Sequence, residues 1–174
     1  MKFTVTRDAL LKPLNLVAGV VERRQTLPIL ANVLIGVEGN QLSLTGTDLE
    51  VELLGKVSLD GATVDGDITV PARKLLDIVK SLPDDSVISV EVEEQRAIIK
   101  SGRSRFTLST LPASEFPNVE QGPASLEFDV LQGNLKTLID KTAFAMAQQD
   151  VRYYLNGMLW EIKDGIFRVV ATDG

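Results

Sequence analysis

Residues 3–48 of this chain recur with a displacement of 125 positions. Without any gap, Phe3 aligns with Phe128, and the pair Thr47-Asp48 aligns with Thr172-Asp173. The matches fall mainly on apolar positions. A displacement this long indicates a repeated domain rather than the short unit of a solenoid. Because the second copy stops with the chain, the sequence predicts one complete domain and the opening of a second, as in a piece of a longer protein.

The 174-residue sequence contains neither cysteine nor histidine. Disulfides, thiolate metal sites and histidine-dependent catalysis are therefore excluded within these residues. There is no phosphate-binding loop or dinucleotide fingerprint. No apolar run could span a bilayer, and the charged start MKFTVTRDALLK is not a signal peptide. We expect a cytoplasmic protein with no catalytic site, no metal and no cofactor.

A shorter series of elements occurs twice within the first copy. The patterns predict strands at 2–6, 29–37, 41–45 and 49–57 with a helix at 7–20, then strands at 68–70, 86–92, 96–101 and 105–109 with a helix at 72–81. Pro13 should kink the first helix or place its start near Lys12. The predicted fold is α+β, with two strand–helix–three-strand units related by pseudo-twofold symmetry and antiparallel sheets.

A segment rich in Pro, Gly, Ser and acidic residues, 112–125, predicts a linker. A helix at 132–146 and strands at 155–162 and 166–171 should follow. We assign the first domain to 1–122, the end of the linker to 123–127 and an incomplete second domain to 128–174. About fifty residues cannot bury a core alone. Eight apolar residues should therefore need further strands, and this half should either be loosely ordered by itself or borrow a partner: Phe128, Leu135, Leu138, Ile139, Phe144, Leu159, Trp160 and Phe167.

The net charge of −6 is unevenly distributed. The three predicted helices together carry +4 and the remainder carries −10. The basic residues on the helices are Arg7, Lys12, Arg73, Lys74, Lys80, Lys136 and Lys141. An acidic protein with one basic helical face can bind a polyanion there. The alternative is that lysine and arginine only solvate exposed helix faces.

Five stretches carry a family resemblance: TLPIL, LSLTGTDLEVEL, TVPARKLLDI, SGRSRFTLSTLPASEFP and QDVRYYLNGML. They closely resemble the amino-terminal part of the bacterial sliding clamps, the beta subunits of DNA polymerase III, and the resemblance runs along the whole chain. It implies a DNA-clamp fold with sheets outside and helices inside. It also implies a head-to-tail homodimer of three-domain subunits that closes around duplex DNA and gives the polymerase its processivity.

The resemblance implies DNA contacts at Arg24, Lys12, Arg73, Gln149, Tyr153 and Tyr154. Cations on the helices should contact phosphates without reading sequence. The two tyrosines follow the third helix, and exposed aromatic rings there would stack on bases at a primer–template junction. As alternatives, the arginines at 23–24 are simply solvated, and one tyrosine packs on the sheet while the other covers the linker.

The basic stretch from Lys100 to Leu108 has three interpretations: a nucleic-acid patch, an ordinary hairpin, or an edge strand in an interface. The resemblance implies the interface, with Phe106 and Leu108 buried against the other subunit. The basic residues that should face acids on that subunit are Lys74, Arg103 and Arg105.

The resemblance also places Leu155, Thr172 and Gly174 around a pocket for short apolar motifs of polymerase, clamp loader and repair proteins. The alternative is that Leu155 belongs to the core.

Three classes of function remain open: a DNA-encircling scaffold, a hydrolase or transferase, and a non-catalytic α+β protein-interaction module without a DNA role. For an enzyme, the acidic pairs at 84–85 and 93–94 are candidate metal ligands. Both pairs fall at predicted turns, where acidic residues are common for conformational reasons. The basic helices and the tyrosine loop favour the scaffold.

Overall fold

The computed structural model describes residues 1–21, 27–117 and 126–174. The chain divides into two compact units, Met1–Gln121 and Gly122–Gly174, which are described separately below. In the described ranges, every helix is too short or too polar to cross a membrane.

The first unit contains two helices and eight strands among its described residues. They are β1 (Lys2–Thr6), α1 (Arg7–Val17), β2 (Asn32–Glu38), β3 (Gln41–Thr47), β4 (Glu52–Ser58), β5 (Gly66–Pro71), α2 (Ala72–Ser81), β6 (Val87–Glu93), β7 (Arg96–Ser101) and β8 (Ser104–Ser109). Short 3₁₀ turns lie at Pro28–Ala31 and Ala113–Glu115. The predicted series of strand, helix and three strands, repeated once, is confirmed.

The two halves of this unit exchange their first strands. The antiparallel sheets have the orders β1-β6-β7-β8 and β4-β3-β2-β5. Strand β1 of the first half pairs with β6 of the second, with Phe3 opposite Val90. Strand β5 of the second half pairs with β2 of the first, with Val70 opposite Val33. Neither half can therefore complete its sheet without the other.

The outer sides of the exchanged strands are covered by the segments that follow β4 and β8. Lys2 is bridged to Val64, and Thr69 is bridged to Leu111. The buried Thr69 hydroxyl accepts from Asn32 Nδ2 at 2.9 Å and donates to the Leu111 carbonyl at 3.1 Å, so the polar groups there are satisfied. Among the described strands of this unit, β4 and β8 keep unpaired outer edges.

A single hydrophobic core joins both sheets and both helices. Its fully buried members include Phe3 of β1, Leu14 of α1, Leu44 of β3, Val79 of α2 and Ile99 of β7. Burial of one such aliphatic or aromatic side chain contributes about 1.5–3 kcal/mol. Because these residues come from both halves, the core forms only when the halves fold together.

Helix α1 begins at Arg7 and runs through Pro13, so the prediction of a start near Lys12 is wrong. The Thr6 hydroxyl caps the helix by accepting from the Ala9 amide at 3.4 Å. The buried face formed by Leu10, Leu14 and Val17 offsets the cost of the proline. The helix ends at Val17 rather than at residue 20.

Two glycines allow α1 to lie directly on β3 and β4. A Cβ atom on Gly55 would lie 2.8 Å from Pro13 Cβ. A Cβ atom on Gly46 would lie 2.8 Å from the Val17 carbonyl oxygen. Only glycine permits this approach of helix to strand.

Several predicted boundaries shift for local reasons. Strand β2 begins at Asn32 because Pro28–Ala31 forms a 3₁₀ turn. Strand β4 begins at Glu52 because the Asp48 carboxylate accepts from the backbone amides of Glu50 and Val51 and closes a turn. The hydrogen bonds from these amides lower the pKa of Asp48. The acidic pair at 84–85 lies in a turn, as predicted, whereas in the second pair Glu93 ends β6 and only Glu94 lies in the turn.

The first part of the predicted linker is packed against the first unit. Leu111 pairs with β5, and the 3₁₀ turn Ala113–Glu115 brings Phe116 to a position only 7% exposed. Residues 118–125 lie outside the described ranges.

The second unit contains α3 (Gln132–Thr142) and the antiparallel hairpin of β9 (Leu159–Lys163) and β10 (Ile166–Val170). The helix is shorter than predicted because Ala143–Ala145 forms a 3₁₀ turn, and β9 starts late because Tyr153–Asn156 forms another. Phe167 lies 5.5 Å from Phe128 and 5.4 Å from Trp160 between ring centroids. None of the eight apolar residues named for this half in the sequence analysis is buried; its loose ordering stays a prediction.

We expect Gly55→Ala to lower the free energy of unfolding of the first unit by about 1–3 kcal/mol, because the added methyl group collides with Pro13. Urea unfolding followed by far-UV circular dichroism measures this, since Trp160 lies in the other unit. Lys56→Ala, at an exposed position of the same strand, is the control and should change the value by less than about 0.5 kcal/mol. Equal midpoints for the two variants would contradict the close contact.

Candidate nucleic-acid interface

Helices α1 and α2 lie side by side and run antiparallel. Arg7, at the start of α1, donates from Nε to the Val79 carbonyl near the end of α2, at 3.2 Å. Arg73, at the start of α2, donates from Nη2 to the carbonyl of Val21, which follows α1, at 3.1 Å. The arginine at the start of each helix is therefore hydrogen-bonded to the backbone at or beyond the end of the other helix.

The two arginines differ in how much of the guanidinium group could still bind a ligand. Arg7 is also paired with Asp8 at 2.9 Å and Asp84 at 2.6 Å, and its side chain is only 14% exposed. Arg73 is exposed and uses a single described hydrogen bond. Of the basic residues counted on α1, the structure leaves Lys12 exposed and without an ion pair among the described residues. Arg24 lies outside the described ranges.

The loop after α3 is braced by hydrogen bonds that the sequence analysis missed. The Asp150 amide donates to Asn156 Oδ1 at 3.0 Å, and Asn156 Nδ2 donates to the Asp150 carbonyl at 3.1 Å. The Asp150 carboxylate accepts from Arg152 Nε at 3.0 Å and Nη2 at 2.8 Å. The Arg152 guanidinium, helped by its backbone amide, lowers the pKa of Asp150. In the sequence, the spacing Asp-x-Arg in QDVRYYLN could have indicated the ion pair between Asp150 and Arg152.

This braced loop presents Gln149, Tyr153 and Tyr154 to solvent. Gln149 is exposed and adopts a left-handed backbone conformation with φ of 59°. Tyr153 and Tyr154 are 82% and 67% exposed, and their rings meet edge to face with centroids 6.0 Å apart. Neither ring is buried against the sheet in the described part of the chain.

Strand β8 has one face on the core and one in solvent. Phe106 and Leu108 are half-buried against the core, whereas Arg105 is exposed. Arg105 lies directly opposite Lys100 of β7, a like-charge pair that is unfavourable by itself. Arg103 in the preceding turn and Lys74 on α2 are also exposed. This edge therefore concentrates positive charge that no ion pair compensates within the described part of the chain.

Leu155 and Thr172 line one shallow depression of about 390 Å³ in the second unit. The other lining residues are Tyr154, Gly157, Met158, Leu159, Val170 and Ala171. Leu155 is half-buried, and its interpretation as core stays an alternative. The equivalent residues of the first copy, Leu30 and Thr47, are fully buried. Gly174 is not in the lining and lies beside the Arg152 guanidinium instead.

The fold of the first unit is that of a DNA-clamp domain. The family profile of the DNA polymerase III beta subunit N-terminal domain matches residues 1–120, and that of the central domain matches residues 129–174. The chain therefore belongs to the DNA polymerase III beta subunit family.

Relatives match along the entire chain. The beta sliding clamp of Pseudomonas aeruginosa is 69% identical over 174 residues, which cover 100% of this chain and 47% of that protein. The beta sliding clamp of Vibrio cholerae is 56% identical, with 100% and 48% covered. A crystal structure of the Pseudomonas aeruginosa subunit superposes with a TM-score of 0.97 at 68% identity, covering 100% of this chain and 47% of that one. The chain spans about half the length of the curated relatives it matches.

We expect the Asp150 carboxyl to titrate with a midpoint below 3.8, the ordinary value. The ion pair between Asp150 and Arg152 should therefore be fully formed above that ordinary value and be lost as the pH falls through the lowered one. NMR titration of the carboxyl carbon measures the midpoint. Arg152→Ala should raise it, whereas Arg168→Ala, which removes the ion pair with Glu161 in the same unit, should not. A midpoint unaffected by Arg152→Ala would contradict the assignment of the cause.

Proposed function

We propose that the protein containing this chain is a sliding clamp, a processivity factor that encircles duplex DNA and tethers a replicative polymerase. The observation that carries the proposal is the separation of charge in the first unit. Helices α1 and α2 carry five basic and two acidic residues, while the chain as a whole is acidic at −6. Positive charge on the helices attracts phosphates without reading sequence, as a sliding contact requires.

DNA contacts are proposed at two places. Arg24, Lys12 and Arg73 would neutralise phosphates of the duplex. Gln149, Tyr153 and Tyr154 would contact the primer–template junction, where exposed rings can stack on unpaired bases. The brace between Asp150, Arg152 and Asn156 supports this second role because it holds the loop in one conformation.

A homodimer is proposed through the outer edge of β8. An unpaired edge strand can extend a sheet into a second subunit. The positive charge of Lys74, Arg103 and Arg105 would be compensated by acids on that subunit, while Phe106 and Leu108 would become fully buried.

The depression around Leu155 and Thr172 is proposed to receive short apolar motifs of polymerase, clamp loader and repair proteins, with Gly174 at its border. Its exposed apolar lining supports this role.

Domain limits at 1–122 and 128–174 belong to the same proposal, as do a cytoplasmic location and the absence of an enzymatic activity. A non-catalytic interaction module without a DNA role is the alternative, and the basic helices argue against it.

A chimera tests the proposal: this chain replaces the N-terminal 47% of the Pseudomonas aeruginosa clamp. After loading by that bacterium's clamp loader, it should co-elute with nicked circular DNA in gel filtration. Linearising the DNA should release it, because a ring is held by topology rather than by affinity. Retention on linear DNA, or no retention on circles by a folded chimera, would contradict the clamp function.

In the same chimera, the double substitution Arg103→Glu and Arg105→Glu should convert a dimer into monomers and abolish retention on circles. The physical reason is repulsion between the new carboxylates and the acids proposed on the second subunit. Lys163→Glu, at an exposed position in the second unit, is the control and should remain a dimer. Light scattering gives the molar mass, and an unchanged dimer for the double variant would exclude the β8 interface.

Tyr154→Ala should weaken binding of the chain to a primed template by about 1–3 kcal/mol while leaving binding to a blunt duplex unchanged, because a stacked base is lost. Fluorescence anisotropy measures both affinities. Phe144→Ala removes an 86% exposed ring elsewhere in the same unit and serves as the matched control. Equal losses on both DNA forms would argue against stacking at a single-stranded end.

A further inference from the structure

The proposals above give no role to one side of the sheet β4-β3-β2-β5. Successive side chains of a strand point to opposite sides of a sheet. Val33 and Leu44 lie in the hydrophobic core. Their neighbours Leu34 and Thr45, directly opposite each other on β2 and β3, therefore point to the outward face, which is the side away from the core. Both are half-buried.

A groove of about 430 Å³ lies on this outward face. Leu34 and Thr45 form its floor. Phe116 and Pro117, from the segment after β8, belong to one wall, and Phe116 is only 7% exposed although it lies outside the core of helices and sheets. Leu54, 55% exposed and directly opposite Thr45, extends the apolar surface onto β4.

Two carboxylates border this outward groove, Glu52 on β4 and Asp67 on β5. Glu52 is half-buried and Asp67 is exposed. Neither forms an ion pair with any residue in the described ranges of the chain. Covering an unpaired carboxylate costs free energy. A molecule that fills the groove must therefore bring cations to both of its ends.

The strand order determines how far apart these cations must be. β4 and β5 are the outermost strands of the sheet, so three strand spacings, or about 14 Å, separate them. Relative to the pair Leu34–Thr45, Glu52 is displaced by two residues in one direction and Asp67 by two in the other. The diagonal between the two backbone positions is then about 20 Å, which an extended segment covers in about six residues.

We propose that the outward groove binds an extended segment of a partner protein in which two basic residues flank apolar ones. The basic side chains pair with Glu52 and Asp67, and the apolar side chains between them contact Leu34 and Phe116. The site lies on the sheet side of the first unit and does not depend on the proposed DNA-encircling function.

The chain itself does not supply the required charges next to the groove. Residues 118–125, which follow Pro117, contain one acidic residue and no lysine or arginine. A second copy of the chain is the competing occupant, because its β8 edge is basic. Self-association of the chain distinguishes that case from a separate partner.

The probe is a fluorescein-labelled peptide with the sequence Arg-Ser-Leu-Ser-Leu-Ser-Arg. In an extended conformation its arginines and leucines lie on one face, with the arginines at the two ends. Fluorescence anisotropy with the full 174-residue chain at low salt measures the affinity. Glu52→Gln and Asp67→Asn each remove one charge without changing the size of the side chain, and each should weaken binding by about 2- to 5-fold.

Asp77→Asn is the charge-matched control. Asp77 is exposed on α2 and does not line the groove, so its replacement should leave the affinity unchanged. A second peptide with serine in place of both leucines tests the apolar contact and should bind at least about tenfold more weakly. Circular dichroism establishes that each variant is folded.

Equal affinities for the unchanged chain, Glu52→Gln and Asp67→Asn would overturn the proposal, as would the absence of binding by the folded chain at the lowest salt. An equal loss for Asp77→Asn would assign the binding to net charge and overturn it as well. Undiminished binding of the leucine-free peptide would exclude the apolar contact and with it the proposed segment.

Light scattering tests the competing occupant. Self-association of the chain that Glu52→Gln abolishes would assign the groove to a second copy and overturn the proposal of a separate partner. A chain that stays monomeric while it binds the peptide supports the proposal. None of these outcomes bears on retention of the chimera on circular DNA, so the two proposals fail independently.

Discussion

The exchange of first strands between the two halves is the constraint on which the first unit depends. Because β1 completes the sheet of β6, β7 and β8, and β5 completes the sheet of β2, β3 and β4, the halves cannot separate without breaking both sheets. The exchange also draws α1 and α2, which follow the exchanged strands directly, onto a common core. A pair of antiparallel helices with one shared exposed side is its consequence.

The same exchange decides which strand edges stay open. The edges of β1 and β5 are covered by the segments after β4 and β8, and the buried hydrogen bonds among Asn32, Thr69 and Leu111 reinforce that cover. What remains in the described part of this unit are the outer edges of β4 and β8. An open edge with uncompensated positive charge is a natural place for another chain to add a strand.

Basic residues on the helices fall into two groups that composition cannot distinguish. Arg7 bonds to a carbonyl and two carboxylates, whereas Lys12 and Lys80 are exposed and form no ion pair among the described residues. Arginine suits the first role because its planar group can donate to several acceptors at once. Counting charges on a helix therefore overestimates the charge that a ligand meets.

The sequence by itself determined the order of the elements, the apolar face of each helix, the repeat of 125 positions and the place of the tyrosine loop. These features depend on neighbours within a few residues or on direct similarity between segments. Only the tertiary structure decided that Phe3 pairs with Val90, that Pro13 packs directly on Gly55, and that Arg7 joins α1 to α2 by a hydrogen bond. The alternation of Phe3 and Val5 shows that one face is buried, but the identity of the neighbouring strand depends on residues far along the chain. Local periodicity carries no information about that choice, because pairing is selected by the packing of the complete core.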